Sequence, residues 1–315
     1  MQTDTPAGVR QDPLTIAVLG PGGVGGLLAA LLSRAGHRVL CLAGEDTART
    51  LREGGIRVRS GRFGEFTAPV DASTGLTETS GPLDAVLDAV LVTVKHTHLD
   101  AALERVPAKA LGDALVVPFL NGVEHPAALR ARYGADRVAP AVIRVESTRT
   151  APGVIEHTSP FVEIDVAGDP VPRERLDALA AAFTAAGPVT RVLPDETAAL
   201  WAKMSFLAPF ALLTTRYGLP LGEVRTRHRD ELAALVEETA AVSLASGGPS
   251  GAAEALARYD AFAPATKSSM QRDAEAGRPL ELDAIGGALL RAAERHGVAV
   301  PVATRVVREL TAGAR

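Results

Sequence analysis

An α/β fold is what the sequence predicts: a doubly wound, mainly parallel N-terminal sheet followed by an all-helical C-terminal region. Three observations carry that expectation. Short apolar runs alternate with helical patterns over roughly the first half of the chain. A glycine-rich turn joins the first run to the first helix. From Asp195 onward nearly every segment has helical periodicity, broken only at glycine and proline.

Each element follows in order. Leu14-Thr15-Ile16-Ala17-Val18-Leu19 is apolar, partly β-branched and too short for a helix, so it reads as a buried strand. Residues 26–35 are rich in leucine and small side chains and read as a helix stopped by Gly36; residues 38–43 supply a second strand. A short helix at 46–54, a strand at 56–59, a strand at 88–94, a helix at 99–106 and strands at 114–118 and 138–143 continue the alternation. Near Glu146 the rhythm changes, and 154–156 and 161–166 read as strands of a hairpin-rich edge. A helix at 172–186 and a strand at 189–193 close the α/β part. Helices are then expected at 195–217, 229–245, 251–262, 280–296 and 302–310. The implied division is a loose tail at 1–12, a dinucleotide-binding domain at 13–193 and a helical substrate and catalytic domain at 194–315.

The turn after the first strand is Gly20-Pro21-Gly22-Gly23-Val24-Gly25, which fits G-x-G-x-x-G. Its glycines have separate physical tasks: Gly20 permits the tight turn, Gly22 lets backbone approach a pyrophosphate, and Gly25 lets helix pack closely on strand. The pyrophosphate would face unpaired amides at the helix N-terminus. Strand–turn–helix–strand context turns a weak motif into a Rossmann-type dinucleotide site, for NADP(H) or NAD(H).

Composition narrows the rest. The chain is 47% hydrophobic and 22% charged with a net charge of −4 and no basic block, which argues against a nucleic-acid partner. The single Cys41 falls in an expected strand, so no disulfide framework exists within one chain and a reducing cytoplasm is expected. Residues 1–12 lack the basic-then-apolar pattern of a signal peptide. No run approaches the roughly 20 apolar residues of a bilayer span, so no membrane is expected. No metal site is expected from the histidine spacing.

Residue economy points to the chemistry. The chain has one asparagine, and four lysines against 29 arginines. Lys95 closes an apolar strand, Asn121 follows another, and Lys203 stands in the apolar stretch Leu200-Trp201-Ala202-Lys203-Met204. Arginine cannot release its proton near neutral pH, whereas a desolvated lysine can. Proton transfer at Lys203 is therefore expected. Other readings exist for each: Asn121-Gly122 is a common turn pair, Lys95 a solvated strand end, Lys203 a snorkelling surface residue, and Glu281 a first-turn acid favoured by a helix dipole. Ser269 also reads as a helix N-cap, and Lys267 as a solvated charge. Trp201 and Met204 read as core. His96 is expected at the site's rim, and His37, His125, His157, His228 and His296 at the surface or at helix ends.

The chain resembles the ketopantoate reductase family. The likeness rests on Gly20–Gly26 (GPGGVGG), the VTVK ending at Lys95, Asn121-Gly122, Lys203, and the stretch from Ser268 to Asp283 (SSMQRDAEAGRPLELD). It implies reduction of a 2-keto acid to a 2-hydroxy acid, with Lys203 as general acid. Lys95, Asn121 and Glu281 would surround the cofactor ribose and reacting centre, Glu281 would assist catalysis, and Ser269 and Asn121 would bind substrate. A homodimer is implied on the same ground. Two positions depart from the family pattern. Leu207 and Ala211 stand where asparagines usually follow the lysine at one and two helical turns, which favours a more apolar substrate with Leu207 on its wall. Gly44, followed by Glu45 and Asp46, stands where NADPH users tend to carry arginine. An acidic side chain about 20 residues past the glycine motif suits the ribose diol of NAD, while Arg49 and Arg52 remain within reach of a 2′-phosphate. A non-catalytic dinucleotide-binding module and a flavin protein are the rival readings.

Overall fold

The structure, a computed structural model, describes residues 12–76 and 86–313. Apart from Asp12, the expected tail at 1–12 lies outside the described residues. In chain order the first strand and helix are β1 (Thr15–Leu19) and α1 (Gly23–Arg34), followed by β2 (Arg38–Leu42) and α2 (Glu45–Gly54). Three strands follow, β3 (Ile56–Ser60), β4 (Gly64–Ala68) and β5 (Asp71–Ser73). Next come β6 (Ala89–Val92), α3 (Leu99–Leu103), β7 (Leu115–Pro118) and α4 (His125–Tyr133). The α/β part ends with β8 (Ala141–Arg144), β9 (Ser147–Ala151), β10 (Val154–His157), β11 (Glu163–Val166), α5 (Arg173–Ala185) and β12 (Val189–Val192).

The central sheet is parallel throughout, in the order β5-β2-β1-β6-β7. All five residues of β1 are buried, as its unbroken apolar run requires of a strand covered on both faces. Strand order reverses between β1 and β6, and that switch point opens a crevice at the strands' carboxyl ends. Helix α1 covers one face through Leu27, Leu28, Leu31 and Leu32, each at most 1% exposed. Each such side chain contributes about 1.5–3 kcal/mol relative to exposure.

Three expectations are corrected here. The strand read at 138–143 does not extend the parallel sheet: only a bridge, Val116 to Val138, joins it to β7, and β8 pairs antiparallel with β11. An apolar run specifies burial, not the direction of its partner. The two strands read as one hairpin-rich edge fall in separate sheets, β10 with β9 and β3, β11 with β8 and β12. Helix α1 begins at Gly23, three residues before the expected start.

The helical part comprises α6 (Glu196–Tyr217), α7 (Leu221–Arg227), α8 (Arg229–Ala245), α9 (Ala252–Ala261), α10 (Ser269–Glu275), α11 (Ala288–His296) and α12 (Pro301–Gly313). Asp195 caps α6, its carboxylate accepting from the amide of Ala198 at 2.8 Å. By length and composition α6 is apolar enough to cross a bilayer, contrary to the expectation of no such run. Here it is the axis around which α8, α10 and α12 pack, with Trp201 and Met204 in its buried core. The helix expected over 280–296 starts only at Leu282, and its first turn, Asp283–Gly287, is π-helical. Such turns are frequent at functional sites.

Candidate active site

The glycine turn is built as a cradle. Gly20 has φ +86°, and its amide donates to the Leu42 carbonyl at 3.1 Å, tying the turn to the end of β2. A Cβ on Gly25 would lie 2.1 Å from Thr93 Oγ1 and 2.5 Å from the Gly20 carbonyl, so only hydrogen fits between helix and strand. A Cβ on Gly22 would meet nothing nearer than 3.9 Å, leaving open space over the backbone. Gly22 is the N-cap of α1 and no side chain caps that end, so the amides of Gly23, Val24 and Gly25 stay directed at the crevice. Pro21 is buried beneath the turn. An open, uncapped, glycine-lined helix start fits a dinucleotide pyrophosphate.

Beyond β2, Glu45 and Asp46 occupy the exposed first turn of α2. Both nearby arginines are engaged: Arg49 with Asp46 at 2.6 Å, and Arg52 with Glu45 at 3.5 Å and with the Ala72 carbonyl at 3.0 Å.

The reacting end is assembled from both halves of the chain. Glu281, 6% exposed, precedes the π turn and reaches across the crevice. Its Oε1 accepts from the His96 amide and its Oε2 from Asn121 Nδ2, each at 3.0 Å. Gly122 has φ +91°, and a Cβ there would lie 2.4 Å from the Ala284 carbonyl, so the turn reading of Asn121-Gly122 also holds. Lys95 does not stand free. Its Nζ donates to both oxygens of Asp273 at 2.5 Å, and Asp273, 2% exposed, also accepts from Arg278 Nε at 2.8 Å. Two more ion pairs cross the crevice, Glu146–Arg272 and Glu124–Arg291, both at 2.7 Å.

Lys203 differs from Lys95. It lies partly buried on α6, and no hydrogen bond or ion pair to its ammonium occurs among the described residues. Burial pushes its pKa down to about 8; the Glu281 carboxylate opposes that and the Arg144 guanidinium adds to it. The carboxylate that binds Asn121 and the His96 amide thus also acts on Lys203 through its charge. Leu207, one turn on, is partly open, while Ala211, a further turn on, is fully buried in the helical core.

Ser269 is exposed at the start of α10, one helical turn before Asp273 and on the same face. It is not the N-cap. That is Ser268, which accepts from the Gln271 amide at 3.0 Å and shares a 2.8 Å hydrogen bond with Thr214. Lys267 pairs with Glu275 at 2.8 Å.

Two histidines expected at the surface or helix ends are buried. His157, 2% exposed, bridges Ser60 and Ser159 at 2.8 and 3.0 Å. His125 starts α4 but is also 2% exposed, and neither ring nitrogen has a partner among the described residues. Burial pushes its pKa down to about 3, helped by the positive charges of Lys203, His96 and Arg130. A neutral imidazole therefore stands near Lys203 and adds no counter-charge. Sequence reasoning missed Asp273, His125 and Arg144. Asp273 alone carried a signal, as the acid one turn beyond Ser269.

Fold and crevice together define a nicotinamide dinucleotide-dependent oxidoreductase, using NADP(H) or NAD(H). Residues 16–167 match the family described as ketopantoate reductase PanE/ApbA, and residues 195–314 match its C-terminal part. The chain belongs to the ketopantoate reductase family. It is 30% identical over 309 residues to the 2-dehydropantoate 2-reductase of Caulobacter vibrioides, covering 95% of this chain and 99% of the relative. The 2-dehydropantoate 2-reductase of Geobacter metallireducens GS-15 superposes with a TM-score of 0.86 at 29% identity, covering 95% of this chain and all of that one. A D-mandelate dehydrogenase solved with NADH and anilino(oxo)acetate superposes with a TM-score of 0.84 at 19% identity, a likeness of fold, over 96% of this chain and 98% of that one.

Proposed function

We propose that this protein reduces a 2-keto acid to a 2-hydroxy acid, with Lys203 as the general acid. The observation that carries the reading is the ammonium of Lys203, unpaired among the described residues, desolvated by burial and within the field of the Glu281 carboxylate. A reduced nicotinamide dinucleotide, its pyrophosphate held by the glycine cradle, would supply the hydride. Lys203 then gives a proton to the carbonyl oxygen that gains charge, and is recharged from solvent. A lysine with pKa about 8 is protonated near neutrality, yet releases that proton more readily than one at the ordinary value. Its charge also stabilises the developing alkoxide. Glu281 holds Asn121 and the Lys95–His96 turn in register with α6. Lys95 is a positioning residue, its charge used on Asp273. Ser269 and Asn121 remain proposed substrate contacts.

The substrate we favour is more apolar than 2-dehydropantoate. Leu207 offers the crevice a hydrocarbon wall, and buried Ala211 offers it no donor. NADH is the favoured carrier, because Glu45 and Asp46 would repel a 2′-phosphate while Arg49 and Arg52 are already occupied. The test is oxidation of NADPH and of NADH across 2-dehydropantoate and a panel of aliphatic and aromatic 2-keto acids, with Lys203→Ala as control. Binding of both nucleotides without turnover of any keto acid would instead support the non-catalytic module.

A further inference from the structure

We infer that Arg144 binds the substrate's carboxylate through the free edge of its guanidinium, an assignment that rests on the keto acid reading above. Placement comes first. The segment leading into β8 runs parallel to β7 at the Val116–Val138 bridge; Asn121 lies five residues beyond one partner and Arg144 six beyond the other. Arg144 therefore arrives at the same carboxyl edge of the strands as Asn121 and Lys95. Alternation fixes its face. Ala141 and Ile143 turn into the α/β core with Ile164 and Val166, so Val142 and Arg144 turn the other way. Helix α6 packs against β8, and the charge of Arg144 acts on Lys203.

The guanidinium is held but not used up. Nη1 donates to Asp165 Oδ2 at 2.7 Å, and Glu163 lies 3.8 Å from the same nitrogen. Asp165, 3% exposed, gives its other oxygen to Arg191 at 2.7 Å. Burial pulls that carboxyl's pKa up, but Arg191 and Arg144 outweigh it and keep it below the usual value. Among the described residues Nε and Nη2 of Arg144 have no partner, and they form the side-on fork that matches a planar carboxylate. The Arg144 side chain is 27% exposed, so part of it is open to solvent.

The other crevice cations are occupied: Lys95 and Arg278 by Asp273, Arg272 by Glu146, Arg291 by Glu124. Lys203 has the keto oxygen to serve. A carboxylate next to that oxygen then finds its bidentate donor at Arg144. This fork replaces what a leucine at 207 and an alanine at 211 cannot give.

The test compares a good 2-keto acid with its 2-keto amide, a neutral isostere, in the full-length wild-type protein, Arg144→Gln and Arg144→Lys. Turnover of the keto acid by wild type reads the proposed function itself; the acid-over-amide ratio of kcat/KM reads the anchor. Arg144→Gln is expected to lower that ratio by about 100-fold, chiefly through KM for the acid. Arg144→Lys, which keeps charge without the fork, is expected to fall between. Oxamate binding, followed by calorimetry in the presence of NADH, should weaken in parallel. An unchanged ratio in Arg144→Gln, whether acid and amide are both lost or both kept, would overturn the assignment, as would oxamate binding equal to wild type in the folded variant.

Discussion

The two lysines that reach the crevice come from opposite halves of the molecule and sit in opposite surroundings. Lys95, at the end of a parallel strand, is clamped on the buried carboxylate of Asp273, with Arg278 on the same group. Lys203, on the central helix of the helical part, feels the opposing charge of Glu281 but has no ion pair among the described residues, and neutral His125 lies within reach of its charge. The first arrangement ties a strand end to the helical half of the chain. The second disfavours the charge and so makes the proton available. Residue type alone does not distinguish a structural lysine from one suited to donate a proton; the supply of counter-charge does.

The largest effect that tests this contrast is on turnover. Lys203→Ala should lower kcat by about 10²–10⁴-fold, and Lys203→Arg should fail to restore it, because guanidinium does not give up its proton. Lys95→Ala should act mainly on KM and stability. Single-turnover rates at saturating cofactor separate the two. A smaller effect lies in stability, where the signs should differ. Lys203→Met removes a desolvated charge and should raise the melting midpoint, whereas Lys95→Met leaves Asp273 with Arg278 alone and should lower it. Each change is on the order of 1 kcal/mol. Thermal unfolding followed by circular dichroism reads both, and equal signs would break the comparison.

The glycine cradle gives a parallel pair. Gly25→Ala forces a methyl against Thr93 Oγ1 and the Gly20 carbonyl and should destabilise the fold by about 1–3 kcal/mol. Gly22→Ala meets no protein atom within 3.4 Å, so the melting midpoint should hold while the dinucleotide Kd rises. The smallest expected effect is at the ribose end. Glu45→Gln should raise kcat/KM for NADPH relative to NADH by roughly tenfold, the scale of one removed like-charge contact at the surface.

What was legible in the sequence follows from range. The glycine turn, its flanking strands and the helix after it are determined by neighbours: Gly20 makes the tight turn, Gly25 the close helix–strand contact, and Gly22 leaves open space over the backbone. The pairings that build the reacting end span 160 to 185 residues, as in Asn121–Glu281, Lys95–Asp273 and His96–Glu281. Periodicity contains no such information, so Lys95 could be singled out in the sequence but its pairing with Asp273 could not. His125 lies beside Pro126 and Ala127 at a helix start, where nothing marks an imidazole as buried. Strands β4 and β9 escaped notice because they are largely exposed, without the apolar alternation that announces a strand. The polar stretch from Ser268 to Asp283 reads as one motif but divides its work: Ser268 caps a helix, Asp273 holds Lys95, and Glu281 bridges the crevice.

The pH dependence of keto acid reduction in a single turnover tests the role of Lys203 most directly. The ammonium is the required form, so log kcat should be flat below the lysine's pKa and fall with unit slope above it. The break should stand near pH 8 and be absent in Lys203→Arg. A rate constant that stays level past pH 10, or a break near 8 that survives Lys203→Arg, would contradict the role given to Lys203.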